Sequence, residues 1–225
     1  MGFSSQALAE IKRELPQHRN KVRAAGARAY MKDIAPFIGI ATPDRRHVLR
    51  EIFHGLPDPT SDQVGLTARA LWKLDEREYQ YAANDLITYF NDYIDETFLK
   101  KHVEFLITDK SWWDTVDGLG SSAISPLTHR YPMTKLMTEW NKSSNIWLIR
   151  ASIGHQRGPR ENYDVELILS FCQNHVSSTE FFVVKAIGWA LRDISKFNQA
   201  AVAGFLKKNP QLGRVAVREA ERYLY

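Results

Sequence analysis

Apolar residues recur at spacings of three and four along almost the whole chain, in stretches near 4 to 15, 19 to 32, 43 to 55, 62 to 73, 76 to 90, 95 to 107, 112 to 126, 133 to 140, 145 to 156, 163 to 174, 179 to 195, 198 to 208 and 211 to 224. That spacing lines one face of a 3.6-residue helix, and the two-residue alternation of a half-buried strand is absent. The interruptions carry helix punctuation. Thr42-Pro43-Asp44 predicts Thr42 as N-cap with Pro43 in the first turn, Leu56-Pro57-Asp58-Pro59-Thr60 reads as a loop, and Gly158-Pro159 separates two periodic stretches. One short helix per roughly 17 residues is the cadence of stacked helical hairpins. The sequence therefore predicts an all-α fold, an α-solenoid of helical hairpin repeats forming one domain over residues 1–225, with no linker or low-complexity segment dividing it. A solenoid presents a concave face along its length, which suits an extended partner.

Composition narrows the picture. With 225 residues and 44% hydrophobic content the chain can bury a real core and is not a disordered tail. No run of 18 apolar residues occurs, and Met1-Gly2-Phe3-Ser4-Ser5 lacks a charged region followed by an apolar one, so neither a membrane span nor a secretory signal is expected. The single cysteine, Cys172, lies in an apolar run and reads as a small core residue; no disulfide framework can form, and a reducing cytoplasm is the expected location. Charge is uneven. Residues 1 to 50 carry 10 Lys and Arg against 4 Asp and Glu, whereas residues 51 to 100 carry 4 against 10. A basic N-terminal segment fits either a polyanion partner or solvated helix surfaces. The seven histidines are scattered without a His-x-x-x-His pair, and there is no glycine-rich phosphate loop and no Gly-x-Ser-x-Gly elbow. No metal or cofactor is expected.

Two helices carry candidate chemistry. In Ser111-Trp112-Trp113-Asp114-Thr115-Val116-Asp117, Ser111 and Asp114 have nearly the spacing of a capping box, which gives Asp114 a structural task. Trp112, Val116 and Leu119 form a core stripe, and Trp113 and Asp117, four apart, share a different face. On this helix alone, an edge-of-core indole and a solvated carboxylate are the plainer reading. The helix over Glu180–Lys196 is sharper: Val183, Ile187, Ala190 and Ile194 make its core stripe, and the nearly opposite face carries Lys185, Trp189, Arg192 and Lys196. A tryptophan among cations, turned from the core, suits aromatic stacking combined with phosphate contact. Gly188 beside it predicts close approach by another backbone or a ligand. Arg150, in an otherwise apolar helix after Asn145, reads as a salt-bridge partner or a phosphate ligand. Arg214, Arg218 and Arg222 read as a solvated face with Glu219 and Glu221 nearby.

The strings Lys110-Ser111-Trp112-Trp113-Asp114-Thr115-Val116-Asp117, Asn145-Ile146-Trp147-Leu148-Ile149-Arg150 and Lys185-Ala186-Ile187-Gly188-Trp189-Ala190-Leu191-Arg192 resemble the AlkD-type alkylpurine DNA glycosylases, a DNA alkylation repair family built from HEAT-like repeats; Tyr30-Met31-Lys32 and Gly39-Ile40-Ala41-Thr42-Pro43-Asp44-Arg45-Arg46 look like its N-terminal motifs. The resemblance runs from about residue 20 to the C-terminus. It implies a catalytic carboxylate at Asp117, lesion or sugar contacts from Trp113, Trp189 and Tyr30, and DNA-backbone binding by Arg150; Lys185, Arg192 and Lys196 on the cationic face, with Thr42, are expected to bind the DNA backbone as well. It further implies hydrolysis of the N-glycosidic bond of purines alkylated at N3 or N7, within double-stranded DNA and without full base flipping, by a lone carboxylate and no cofactor. A cationic alkylpurine is already a good leaving group, so a general acid is dispensable. No membrane and no obligate protein partner are implied. The alternative is a non-catalytic helical-repeat module that binds nucleic acid or a protein.

Overall fold

The structure, a computed structural model, describes residues 2–158 and 163–224. Helices and no strands occur among them, as the apolar spacing predicts. Contacts divide the chain into two compact units, Met1–Ala123 and Ile124–Tyr225. Unit one contains α1 (Phe3–Glu14), α2 (Lys21–Tyr30), α3 (Thr42–His54), α4 (Ser61–Trp72), α5 (Arg77–Tyr89), α6 (Glu104–Thr108) and α7 (Trp113–Leu119). Unit two contains α8 (Ser125–Arg130), α9 (Thr134–Asn141), α10 (Ile146–Ile153), α11 (Val165–Gln173), α12 (Phe181–Ser195), α13 (Gln199–Lys208) and α14 (Arg214–Ala220). Of the break expected at Gly158-Pro159, Pro159 lies outside the described residues.

Local chemistry sets most helix starts. Thr60 and Gln63 form a reciprocal capping box on α4, Asn145 accepts from the Trp147 and Leu148 amides to start α10, and Asn20 caps α2. Two expected caps are corrected. Thr42 is already helical and Ala41 occupies the N-cap position, because proline fits either of the first two helical positions, where its missing N–H costs nothing. The Ser111/Asp114 box does not form: Trp112 occupies the N-cap of α7, Ser111 Oγ donates to the Ile107 carbonyl, and Asp114 is drawn to partners on α5. Trp112 itself is only half-buried, while Val116 and Leu119 are buried as the stripe predicts.

In unit one, α5 packs on α3, α4 and α7, and Leu71, Trp72, Leu86 and Ile87 are wholly inaccessible. Each such side chain contributes about 1.5–3 kcal/mol. In unit two, α12 packs against α10, α11, α13 and α14, and its stripe Val183, Ile187, Ala190 and Ile194 is buried as predicted. Gly188 permits the close approach the sequence signals: a Cβ there would lie 2.8 Å from Ala216 Cα and 3.0 Å from Glu219 Cβ, both on α14. The expectation that the cationic face of α12 has no second layer is corrected by that helix. Among the described residues no helix is long and apolar enough to cross a membrane.

Candidate functional site

The predicted site residues fall into two groups, one in each unit. In unit one, α2 is a helix without a single buried residue. A ten-residue helix has little stability alone, and α2 is held at its N-terminus by the loop that follows it in sequence. The Asn20 amide donates to Ile38 O, and Gly39, at φ 86°, lies where any Cβ would strike Asn20 O at 2.2 Å. That loop is fixed by the buried Glu78 carboxylate, which accepts from the Ile38 and Gly39 amides at 2.9 and 2.6 Å. The arrangement leaves Lys21, Arg23 and Arg28 on the surface and Tyr30, at the C-terminal end of α2, 71% exposed.

The Tyr30 ring meets the Trp113 indole edge-on at 6.2 Å between centroids. Trp113 opens α7 and is half-buried, as is Asp117 one turn later on the same face. The two carboxylates of α7 stand in different surroundings. Asp114 accepts from Arg77 Nη2 at 2.7 Å and Nε at 3.0 Å, and from the Tyr81 hydroxyl at 2.6 Å. This bidentate, charge-assisted arrangement is strong and occupies both oxygens of Asp114. Burial, reinforced by the Asp114 anion, pushes the Tyr81 phenol well above its usual range, so it remains a donor. Arg45 lies 5.1 Å from the Tyr81 ring and pairs with Asp85 at 2.9 Å. Thr42 is exposed at the start of α3, three residues before Arg45.

In unit two the half-buried Trp189 is ringed by cations: the Arg157 and Arg150 guanidinium carbons lie 4.6 and 4.7 Å from its ring centre, with Lys185 Nζ at 5.7 Å and the Arg192 guanidinium at 5.9 Å. Such stacking is worth about 0.5–2 kcal/mol per cation. These cations have internal partners. Arg150 is buried and donates to the Phe182 carbonyl at 2.8 Å. Lys185 and Arg192 each donate to the Glu219 carboxylate at 2.7 Å. Glu219 is buried on α14, and the Lys185 bond, with the Arg222 and Arg192 charges, holds it below the usual carboxylate range. It was expected on a solvated face; instead it supplies the anion that lets α14 cover the cationic side of α12. Arg214, Arg218 and Arg222 are exposed as expected. Lys196 pairs with Asp193 at 2.7 Å beside a cavity of about 270 Å³ that Arg157 also lines.

Sequence reasoning missed Arg157, Glu219, Arg77 and Tyr81. Arg157 stands in a loop without periodicity, and the other three matter through partners 27 to 38 positions away, beyond any local pattern. Cys172 is a core residue whose thiol burial pushes up to about 12, which leaves it no nucleophilic role. Among the described residues no group of three or more His, Cys, Asp or Glu side chains is placed to hold a metal ion.

An all-α helical-repeat protein whose aromatic rings are set among carboxylates and guanidinium groups is the class that fold and sites define. The family model described as DNA alkylation repair enzyme matches residues 11–224, and the chain belongs to that family. Its fold is similar to that of a protein named as a predicted DNA alkylation repair enzyme from Enterococcus faecalis, with TM-score 0.81, 29% identity, and coverage of 92% of this chain and 97% of that one. It also resembles AlkD2 from Streptococcus mutans, with TM-score 0.67, 15% identity, and coverage of 98% and 99%, and smu.31 from Streptococcus mutans UA159, with TM-score 0.62, 16% identity, and coverage of 94% and 100%. The latter two likenesses speak to the fold alone. No curated protein matches the chain.

Proposed function

We propose that this DNA alkylation repair protein is a glycosylase that hydrolyses the N-glycosidic bond of cationic N3- or N7-alkylated purines in duplex DNA. The observation that carries the reading is on α7: Asp117 shares one helix face with Trp113, whose indole meets the exposed Tyr30 ring at 6.2 Å, while Asp114 is spent on Arg77 and Tyr81. A cationic purine leaves as a neutral base once the bond breaks. The carboxylate needs only to stabilise the oxocarbenium-like sugar and orient the attacking water, electrostatic work that one anion can do. Trp113 and Tyr30 supply aromatic faces for the base and its sugar, and a cationic base gains from such contact.

Phosphate contact is assigned to Thr42, Lys185, Arg192 and Lys196, with Lys21 and Arg23 on the uncovered helix α2 added; Arg150, expected to bind the DNA backbone, is buried against Phe182 and the Trp189 ring and is assigned to holding that ring instead. Glu219 takes one of the five N–H donors of Arg192 and one of the three of Lys185, which leaves both with donors to spare. No cofactor enters the chemistry. The test is release of 3-methyladenine and 7-methylguanine from methylated duplex DNA without added metal. Release by wild type that falls by about 10²-fold or more in Asp117→Asn, with DNA binding retained, is the expected result. No release by wild type, with salt-sensitive DNA binding intact, would instead favour a non-catalytic binding module or a bulkier lesion as substrate.

A further inference from the structure

The glycosylase reading places its chemistry on α7, which starts without a side-chain cap and runs on into a π-helical turn at Gly120–Ile124. The backbone bonds of a helix do not set which way its faces turn, and a rotation by one residue, 100°, would carry Trp113 and Asp117 to another face. The segment that leads into it is strained: Lys110 adopts φ 48°, in the left-handed region. Such a conformation persists only where the surroundings over-determine it. Here they do. The Lys110 carbonyl accepts from Arg77 Nη1 at 2.8 Å, and Lys110 Nζ donates to Leu74 O at 2.6 Å.

Arg77 is 1% exposed and grips α7 and the segment before it at three places: the Lys110 carbonyl, both oxygens of Asp114, and Thr115 Oγ1 at 2.9 Å. The Tyr81 hydroxyl closes on Asp114 Oδ2 at 2.6 Å, one helical turn along α5 from Arg77. Asp114 follows Trp113 directly and precedes Asp117 by three residues, so whatever fixes it fixes both. We propose that Arg77 and Tyr81 are positioning residues for the Trp113 ring and the Asp117 carboxylate, clamping α7 in one rotation through Asp114. The proposal rests on the glycosylase reading. The Tyr81 phenol stays protonated across the working range because burial and the Asp114 anion disfavour its ionised form, so its hydroxyl remains a donor to Asp114.

The experiment uses Tyr81→Phe, which keeps the ring and removes the hydroxyl, with Tyr79→Phe, on the same helix, as the control. Turnover and DNA affinity are measured on methylated duplex DNA, and the tryptophan indole N–H resonances are followed by NMR. Tyr81→Phe should lower kcat about tenfold, short of the hundredfold that a 1 Å misplacement can bring. DNA affinity should hold within about twofold, since the hydroxyl touches no phosphate in this account. The Trp113 resonance should shift and that of Trp189 should not; Tyr79→Phe should leave kcat and the Trp113 resonance where they are. A Trp113 resonance that stays in place in Tyr81→Phe overturns the proposal, as does a fall in kcat that tracks DNA affinity or the folded fraction. If wild type releases no purine, the glycosylase reading fails separately and the Trp113 resonance alone decides: a shift supports the clamp, and no shift overturns it.

Discussion

Asp114 and Asp117 stand three positions apart on α7, and the account gives them different work. Asp114 lies against a guanidinium and a phenol and serves the fold; Asp117 shares its face with an indole and serves the proposed chemistry. Another single residue sets how the protein responds to acid. His155 is buried, with Ser152 O accepting from Nδ1 at 2.6 Å and the Phe171 ring 5.8 Å away, and burial lowers its pKa from 6.5 to about 4. Between those values the unfolded chain holds a proton that the folded one rejects. Stability is therefore complete above the unfolded value and falls as pH drops toward the folded one, by up to about 3 kcal/mol. Denaturation midpoints taken at neutral, mildly acidic and more acidic pH check this. His155→Gln should show a shallower decline than wild type, though not a flat one, because burial lowers the pKa of His102 as well. An unchanged decline would show that His155 carries none of it.

The helices themselves were largely legible in the sequence, since apolar spacing is a local property and most stretches bury the stripe they advertise; α2, which buries nothing, does not. The face of α12 that carries Lys185, Trp189 and Arg192 was legible as a composition but not as a surface. Whether it meets solvent depends on Glu219, a residue that reads locally as one charge among arginines and becomes buried only when α14 packs. Asp114 shows the same limit: its spacing from Ser111 suggests a cap, and Arg77, 37 positions earlier, outcompetes that role with a bidentate pair. Gly188, by contrast, announces a close approach and has one. Gly188→Ala would gain about 1 kcal/mol of helix propensity, but its methyl would meet Ala216 Cα at 2.8 Å, where backbone must shift. A net loss of about 1–3 kcal/mol is expected from such overpacking. Gly26→Ala, on α2, meets nothing within 4 Å and should stabilise by up to about 1 kcal/mol. Thermal melts of the two variants should move in opposite directions; a Gly188→Ala protein as stable as wild type would contradict the α12–α14 packing.

Across the whole molecule the net charge of +4 conceals a basic first fifty residues and an acidic second fifty. The structure gives part of the basic excess a location on α2, which buries nothing and so offers Lys21 and Arg23 to solvent. If both meet DNA phosphates, replacing them with alanine should lower the slope of log affinity against log salt by about 1.8, at 0.9 per phosphate contact. A slope unchanged within error would remove α2 from the interface.

The proposed chemistry rests on one carboxylate of α7, so the decisive comparison is between the two on that helix. Single-turnover release of 7-methylguanine from duplex DNA, measured with thermal stability for wild type, Asp117→Asn and Asp114→Asn, tests it most directly. The account predicts that Asp117→Asn loses about 10²-fold or more in rate while remaining folded at the assay temperature, whereas Asp114→Asn melts lower than wild type because Arg77 is left without its carboxylate. Wild-type release that persists in Asp117→Asn would contradict it.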